Sequence, residues 1–243
     1  MLQQAIVPQW PAPARVCALQ TSRHGGTSLS PYDSLNLGTH VGDAAACVAA
    51  NRQLLQAVLP GKPLWLQQVH GTVVVEAEQG GQPNADASIA REAGVVCAVL
   101  TADCLPLLLC DDAGSVVGAV HAGWRGLAAG VIEAAVHAME VAPTEVMAWL
   151  GPAIGPQAFE VGENVRAAFL QHDRAADSAF VPRADKYLAD LYLLARQRLE
   201  ELGIKRIYGG EFCTYTDSGR FYSYRRDGQT GRMASMIWLS DPV

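Results

Sequence analysis

This sequence of 243 residues lacks the features by which exported and membrane-spanning proteins are usually recognised. No apolar run reaches the ~18 residues that a membrane-crossing helix needs, and the longest, such as Leu105 to Cys110, have the length of a strand. The first seven residues carry no basic side chain, and prolines at positions 8, 11 and 13 interrupt any apolar signal segment. We therefore expect a cytoplasmic protein with no membrane partner.

Basic charge is also scarce. The formal net charge is -6, only 17% of the residues are charged, and the densest basic cluster is Arg225-Arg226. Binding to a nucleic-acid backbone needs a clustered basic surface, so this partner class is excluded. A small anion remains compatible with the sequence, because one or two arginines can bind it.

The six cysteines are scattered and none forms a CxxC pair. Without an export signal they are expected to be reduced thiols, and most free cysteines behave as small buried hydrophobes. We expect Cys17 and Cys110, for example, to be inert. A reactive cysteine must therefore be recognised from its neighbours.

Common motifs of nucleotide-binding proteins and esterases are missing as well. The sequence contains no GxGxxG, no Walker A loop and no GxSxG elbow. Its six histidines include no H-x-H pair, whereas a multicopper oxidase needs many more histidines, often paired in this way. The familiar zinc deaminase pattern of H-x-E and P-C-x-x-C is absent too.

What is present is a hydrophobic pattern typical of a globular protein, in which half of the residues are hydrophobic. The predicted strands are 15–19, 73–77, 95–100, 105–110, 116–120, 146–150, 206–208, 221–224 and 235–239. The predicted helices are 44–58, 127–139, 161–170 and 187–202, and a long ordered loop is expected over 21–42. Because strands and helices alternate without a strict βαβ rhythm, we expect a layered α/β (α+β) fold with a mixed central sheet, in one domain over residues 1–243.

Three short segments place reactive side chains at predicted strand ends beside small residues. They contain His70 (67–71), Cys104 (101–106) and His121 (120–126). Two imidazoles and one thiolate form a three-ligand set for a catalytic zinc, which leaves a fourth position for water or substrate. The spacing of the three residues matches no local metal motif, so taken singly each histidine is also explained by a structural hydrogen bond.

Six segments together resemble the YfiH family, also called laccase-domain or polyphenol-oxidase-like proteins. The segments run in order along nearly the whole chain: 34–38 (SLNLG), 68–71 (QVHG), 101–104 (TADC), 121–126 (HAGWRG), 150–154 (LGPAI) and 221–227 (FYSYRRD). The resemblance implies a cysteine-hydrolase-like α/β fold and metal ligands at His70, Cys104 and His121. It also implies an enzyme that phosphorolyses adenosine, inosine and methylthioadenosine, with some adenosine deamination.

Four further residues are candidates for the site. Asp103, beside Cys104, is a proton relay, a support for the ligands, or a turn residue. Arg125 precedes the predicted helix from 127 and Arg23 lies in a glycine-rich loop, so both are candidates for binding phosphate. Asn36 has a turn role, with ligand contact as the second interpretation. The partners are then a purine nucleoside and phosphate, bound by a monomer that holds zinc, with copper as the other metal.

Two other enzyme classes stay open. In a metal-free Cys-His amide hydrolase that edits peptidoglycan precursors, Cys104 is the nucleophile and His121 or His70 the base. A copper-dependent polyphenol oxidase uses the same His-Cys-His set, as blue-copper sites do. A non-enzymatic metal-binding or interaction protein is the remaining class.

Overall fold

The computed structural model describes residues 4–241, which form mixed sheets flanked by helices. The strands are β1 (Val16–Gln20), β2 (Pro63–Trp65), β3 (Val74–Glu76), β4 (Ala87–Ala90), β5 (Val96–Thr101), β6 (Leu105–Asp111), β7 (Val117–Ala122), β8 (Val146–Leu150), β9 (Glu160–Val161), β10 (Phe180–Arg183), β11 (Lys186–Ala189), β12 (Arg206–Gly209) and β13 (Met233–Leu239). The α-helices are α1 (Ala45–Gln56), α2 (Trp124–Ala129), α3 (Val131–Ala138), α4 (Glu163–Leu170), α5 (Leu191–Glu201) and α6 (Tyr224–Asp227).

The largest sheet has six strands in the order β12-β8-β6-β7-β4-β3. β6 pairs antiparallel with both β7 and β8, whereas the two outer pairs, β12 with β8 and β3 with β4, are parallel. The predicted mixed sheet is therefore confirmed. Every residue of β6 is buried, because both faces of this sheet are covered.

A second sheet, in the order β1-β13-β5-β2, packs against the first. Alternate residues of a strand point to opposite faces, so Leu108 and Cys110 of β6 face this second sheet and pack with Val99 and Ile237. We expected a single central sheet. The structure has two stacked sheets because the chain returns at its end to place β13 between β1 and β5.

Helices cover the two outer faces of this pair of sheets. Leu107 and Leu109 of β6 pack with residues of α3 and α5, such as Ile132 and Leu199. On the opposite side, Leu55 of α1 packs against the four-stranded sheet. The layer order is thus helix, four-stranded sheet, six-stranded sheet and helices, with a small sheet of order β10-β11-β9 beside α4. No helix within residues 4–241 is long and apolar enough to cross a membrane.

The predicted helix over 127–139 is wrong in its bounds. It is two helices, α2 and α3, joined at Gly130, whose φ of 98° lies in the left-handed region that glycine adopts readily. α2 already begins at Trp124, so Arg125 lies in its first turn and does not precede it. With only six residues, α2 offers a much weaker anion-attracting terminus than the predicted helix.

Two other predicted elements are wrong. Residues 186–189 form the strand β11, and the helix that was predicted from 187 begins after Asp190, whose carboxylate accepts a hydrogen bond of 3.0 Å from the N–H of Leu193. The predicted strand over 221–224 is instead a buried loop over residues 221–223 that leads into α6, which begins at the exposed Tyr224. The remaining predicted strands and helices are present, with ends that differ by up to two residues.

Candidate active site

His121 lies on β7, at the end of the six-stranded sheet, and is almost fully buried. Its Nδ1 donates a hydrogen bond of 2.8 Å to Oδ1 of Asp86, a residue with no exposed surface. A carboxylate only accepts hydrogen bonds, so Nδ1 carries the proton and Nε2 is left free as a donor atom for a metal. Asp86 therefore sets both the tautomer and the orientation of the His121 ring.

The same carboxylate builds the turn that carries His70. Asp86 accepts hydrogen bonds from three successive backbone N–H groups, those of Val69 (3.2 Å), His70 (2.9 Å) and Gly71 (2.6 Å). His70 itself has a φ of 60°, in the left-handed region, and these bonds hold it there. Burial alone would raise the pKa of Asp86, but the hydrogen bonds from His121 and the backbone lower it, so the carboxylate is charged.

Cys104 lies in the short connection between β5 and β6, positioned by its neighbour Asp103. Asp103 has a φ of 91°, and its carboxylate accepts hydrogen bonds from the hydroxyl of Thr214 and the backbone N–H of Arg225, both 2.6 Å long. Its carbonyl accepts a third bond, of 2.9 Å, from the N–H of Ile154. Asp103 thus ties the Cys104 turn to three other segments.

These supports bring His70, Cys104 and His121 together. One nitrogen of each ring and the sulfur lie within 4.8 Å of one another, and Cys104 Sγ is 3.8 Å from His70 Nε2. Gly123 makes the approach possible, because a Cβ at this position would lie 2.7 Å from Cδ2 of His70 and 3.1 Å from the sulfur. His70 is exposed and Cys104 half-buried, so the cluster opens towards solvent.

The electrostatics of the cluster favour a thiolate. Burial alone would raise the pKa of Cys104, but the His121 and His70 imidazoles reverse this and lower it to about 6. In the metal-free protein the nearby Cys104 thiolate, together with Asp86, raises the pKa of His121 to about 9. By contrast, burial raises the pKa values of Cys97 and Cys110 to about 12, which accords with inert thiols.

The cluster fits a metal ion. Bond lengths of ~2.3 Å to sulfur and ~2.0 Å to nitrogen place tetrahedral donors roughly 3.5 Å apart, and the distance of 3.8 Å between Cys104 Sγ and His70 Nε2 is close to that spacing. A ring nitrogen oriented by a buried carboxylate is the usual support of a metal-binding histidine. Within the described residues 4–241, this is the one group of three or more such side chains able to hold a metal.

The three residues line a cavity of about 840 Å³. Four arginines line it as well, and none of the four forms an ion pair with a carboxylate of residues 4–241; they are Arg52, Arg125, Arg225 and Arg232. The single acidic residue among the described lining residues is Asp103, whose oxygens are already hydrogen-bonded. The cavity is therefore a positively charged enclosure suited to an anion.

The family model for multi-copper polyphenol oxidoreductase laccase matches residues 17–240. The chain belongs to this family. It is 55% identical over 242 residues to the purine nucleoside phosphorylase YfiH of Escherichia coli (strain K12), and the alignment covers 98% of this chain and 100% of that protein. It is 54% identical over 238 residues to a purine nucleoside phosphorylase of Pseudomonas aeruginosa, with 97% and 98% covered.

Solved structures of the family have the same fold. The crystal structure of a Neisseria meningitidis protein matches with a TM-score of 0.95 and 52% identity, covering 98% of this chain and 100% of that one. That of YfiH from Bacillus licheniformis matches with a TM-score of 0.86 and 28% identity, covering 93% of each chain. The resemblance to the YfiH family is confirmed, whereas the cysteine-hydrolase-like label remains a prediction.

In this family member, two of the residues predicted to contact substrate lie outside the cavity lining. The guanidinium of Arg23 donates to the carbonyls of Asp33 (3.0 Å) and Ser218 (3.1 Å) and pairs with the Asp33 carboxylate. Asn36 is fully buried, and its side chain bonds to Gly38, Asp43 and the backbone N–H of Arg232. Both residues hold loops in place. Arg125, in contrast, lines the cavity, with its guanidinium 4.5 Å from the centre of the Trp124 ring.

Several residues of the site were not predicted from the sequence. Tyr224 is 61% exposed and lines the cavity, whereas Glu160 lies outside the lining and pairs with Lys186. The unpredicted site residues are His40, Arg52, Asp86 and Arg232. Of these, Asp86 had a usable signal, since an acidic residue just before a short segment of small and apolar residues (87–90, ASIA) suggests a functional strand end.

Proposed function

We propose that this protein is a metal-dependent purine nucleoside phosphorylase acting on adenosine, inosine and methylthioadenosine. The observation that carries the proposal is that one cavity is lined by an open His-Cys-His metal set and by four arginines that form no ion pair within residues 4–241. The names of the relatives from Escherichia coli and Pseudomonas aeruginosa support the same activity. One chain supplies every ligand and arginine, which supports an active monomer.

The cavity has the size and lining that a nucleoside and a phosphate require together. A volume of about 840 Å³ is at the upper end of the range of small-molecule sites. Trp124, Phe159 and Tyr224 line it and offer aromatic faces on which a purine can stack. The arginines supply donors for the phosphate oxygens.

Phosphorolysis breaks the bond between C1′ of the ribose and the purine nitrogen and forms a bond between C1′ and a phosphate oxygen. The electron pair of the broken bond leaves with the base, which takes up a proton, and the products are the free base and ribose 1-phosphate. The arginines hold the phosphate against C1′ as positive charge develops on the sugar. Adenosine deamination, in which the oxygen of a water molecule bonds to C6 of the base and the amino group leaves as ammonia, is proposed as a side reaction of the same cavity.

The metal would be held by His70, Cys104 and His121, with Asp86 orienting His121 and Asp103 holding the Cys104 turn. We propose zinc, because two imidazoles, one thiolate and an open fourth position form the ligand set of catalytic zinc, and copper is the alternative. When bound, the metal supplies a Lewis acid that polarises a substrate group. Within residues 4–241 a single candidate cluster exists, which argues against a multicopper oxidase.

A metal-free amide hydrolase that edits peptidoglycan precursors is the second candidate, and one observation favours it. Cys104 has a lowered pKa, and His121 beside it is hydrogen-bonded to Asp86, so the three residues resemble a nucleophile, base and orienting acid. A thiolate that also ligates a metal cannot act as this nucleophile, so metal dependence separates the two proposals.

The test is an incubation of purified protein with adenosine and phosphate, with and without a chelator, followed by chromatography and mass detection. We expect adenine and ribose 1-phosphate that depend on phosphate, disappear with chelator and return with zinc. Return with copper alone would select copper as the metal. Full activity without metal, or no turnover by metal-loaded protein, contradicts the proposal, and a screen of cell-wall peptide precursors then tests the hydrolase.

A further inference from the structure

Two of the cavity arginines, Arg52 and Arg232, are half-buried and carry positive charge that no ion pair within residues 4–241 neutralises. Burial lowers the pKa values of Arg52 and Arg232 below their usual range, and no carboxylate within residues 4–241 forms an ion pair with either. His40, which lines the same cavity, also has a lowered pKa, because of its own burial and the charges of these two arginines. Buried charge without a partner is costly, and a bound anion removes that cost.

Both guanidinium groups are fixed in place while keeping donors free. Arg52 donates from Nε (3.0 Å) and Nη2 (2.8 Å) to the carbonyl of Leu37 and lies 4.2 Å from the centre of the Trp65 ring, which leaves Nη1 unused. Arg232 donates from Nη1 to the carbonyls of Thr230 and Gly231, both at 3.0 Å, which leaves Nε and Nη2. The site is thus pre-organised, with donors to spare.

A buried hydroxyl without a partner belongs to the same region. Thr101, at the end of β5, lines the cavity and is 1% exposed, yet its Oγ1 has no hydrogen-bond partner among residues 4–241. In the β5–β13 pairing Thr101 lies opposite Met233, the residue after Arg232. A buried hydroxyl is rarely left unsatisfied, so Thr101 is a candidate donor to a ligand bound in the cavity that it lines.

The loop that leads to His40, beside Arg232, is held together by the side chain of Asn36. Its Oδ1 accepts from the N–H groups of Arg232 and Gly38, both at 2.9 Å, and its Nδ2 donates to Asp43 at 2.9 Å. Asn36 therefore fixes the backbone of Arg232 together with the loop that ends at His40. These contacts accord with the turn role that was the first interpretation of Asn36, and they make it a positioning residue for Arg232.

The region also faces the metal-binding cluster. Burial lowers the pKa of Arg232, and the negative groups that oppose this most are Cys104 and Asp103. Arg125 and Arg225 are less suited to enclose an anion, because both are exposed and Arg225 already donates to the carbonyl of Glu160 at 2.8 Å.

We propose that Arg52, Arg232 and Thr101 form the subsite that binds the phosphate dianion, with His40 at its edge. This assignment rests on the proposed phosphorolysis and names the residues that hold its second substrate. Phosphate oxygens only accept hydrogen bonds, and the subsite offers N–H groups on three guanidinium nitrogens and a hydroxyl to meet them. Arg125 contributes charge at the exposed side of the cavity.

The first experiment measures the binding of inorganic phosphate to purified protein by calorimetry, without nucleoside. We expect Arg232→Gln and Arg52→Gln each to weaken binding about ten- to a hundredfold, the usual effect of losing a charge-assisted hydrogen bond. The matched control is Arg206→Gln, which removes an arginine that is paired with Asp112 outside the cavity lining and is expected to leave binding unchanged. Circular dichroism of each variant checks that it is folded.

A second pair of variants tests the hydroxyl. Thr101→Val keeps the shape of the side chain and removes the donor, so phosphate binding is expected to weaken roughly fivefold while thermal stability is kept or raised. Thr101→Ser keeps the hydroxyl and is expected to bind phosphate as the wild type does. Equal phosphate affinity in the valine and serine variants would remove Thr101 from the subsite.

Steady-state kinetics separate the failure of this assignment from failure of the proposed function. We expect the KM for phosphate to rise in Arg232→Gln while the KM for adenosine stays the same, and Arg125→Ala to raise the phosphate KM by a smaller factor. The assignment is overturned if Arg125→Ala loses phosphate binding while Arg52→Gln and Arg232→Gln both keep it. Absence of turnover in the wild type refutes the phosphorylase, whereas the calorimetric comparison still decides whether the subsite binds phosphate.

Discussion

Asp86 Oδ1 lies 2.8 Å from Nδ1 of His121 and 2.9 Å from the backbone nitrogen of His70, so one buried carboxylate oxygen positions both imidazoles of the cluster. We predict that Asp86→Asn lowers metal affinity about ten- to a hundredfold, since an amide cannot serve all four donors and no longer fixes the His121 tautomer. Metal content after dialysis against a graded chelator measures this. Asp111→Asn is the control, because Asp111 is a buried carboxylate that binds only the turn at Ser115 and Val116. Equal metal retention in the two variants would contradict the role of Asp86.

Replacing the sulfur ligand gives the sharpest separation of the two enzyme classes. We predict that Cys104→Ser loses both bound metal and nucleoside turnover, because a neutral hydroxyl is a poor metal ligand. Elemental analysis and the adenosine assay are run on the same sample. Cys110→Ser is not a fair control, because that thiol is fully buried, whereas Cys17→Ala changes a half-buried thiol outside the cavity lining and is expected to keep both metal and activity. Full metal content with lost activity would instead favour Cys104 as a nucleophile.

The metal-free protein is predicted to have a stability maximum between about pH 6 and pH 9. The folded-state pKa of Cys104 is lowered to about 6, so its stabilising contribution is lost as the pH falls through that value. The pKa of His121 is raised to about 9, so its contribution is lost as the pH rises through about 9. Melting temperatures of the metal-free protein across this range provide the measurement. In Cys104→Ser the pH dependence should flatten, and a profile identical to that of the wild type would count against the thiolate–imidazolium pair.

The close approach at Gly123 predicts a variant that is folded but impaired in metal binding. In Gly123→Ala the added Cβ would lie 2.7 Å from Cδ2 of His70 and 3.1 Å from the Cys104 sulfur, so the exposed His70 ring must move. We expect roughly tenfold weaker metal binding with a change in melting temperature of only a few degrees. Gly219→Ala is the matched control, since its Cβ would meet only Asp217 Oδ1 at 3.8 Å. Unimpaired metal binding in Gly123→Ala would show that the ring has room to adjust.

The strands of the core were predictable because their residues are almost all apolar. β5, β6 and β7 were each predicted to within one or two residues at either end, since a short apolar run bounded by polar or turn residues is a strand in most contexts. The predicted helix over 187–202 begins too early for the same reason, because an apolar strand comes directly before it. The apolar residues of β11 run on into those of α5 at helical spacing, and only the cap at Asp190 marks the boundary.

The candidate metal ligands were predicted from the resemblance, and Asp103 was named among possible supports, whereas Asp86 was not predicted. Asp86 acts through backbone N–H groups of residues 69–71 and the ring of His121, contacts that no local spacing encodes. Arg52 and Arg232 reach the same cavity from α1 and from the start of β13, which are far apart in the chain. Arg23 and Asn36 lie outside the cavity lining because their polar groups are used by neighbouring loops.

The three ligands come from segments that belong to different sheets. His70 follows β2 of the four-stranded sheet, and Cys104 lies in the connection from β5 of that sheet to β6 of the other. His121 lies near the C-terminal end of β7, a central strand of the six-stranded sheet. An ion bound by all three would act as a cross-link that fastens the two sheets at one end, much as a disulfide does. Metal binding would then be a late step of folding, completed only once the two sheets have stacked. Removal of the ion would release that end of the sheets, while the apolar core kept the rest of the protein folded.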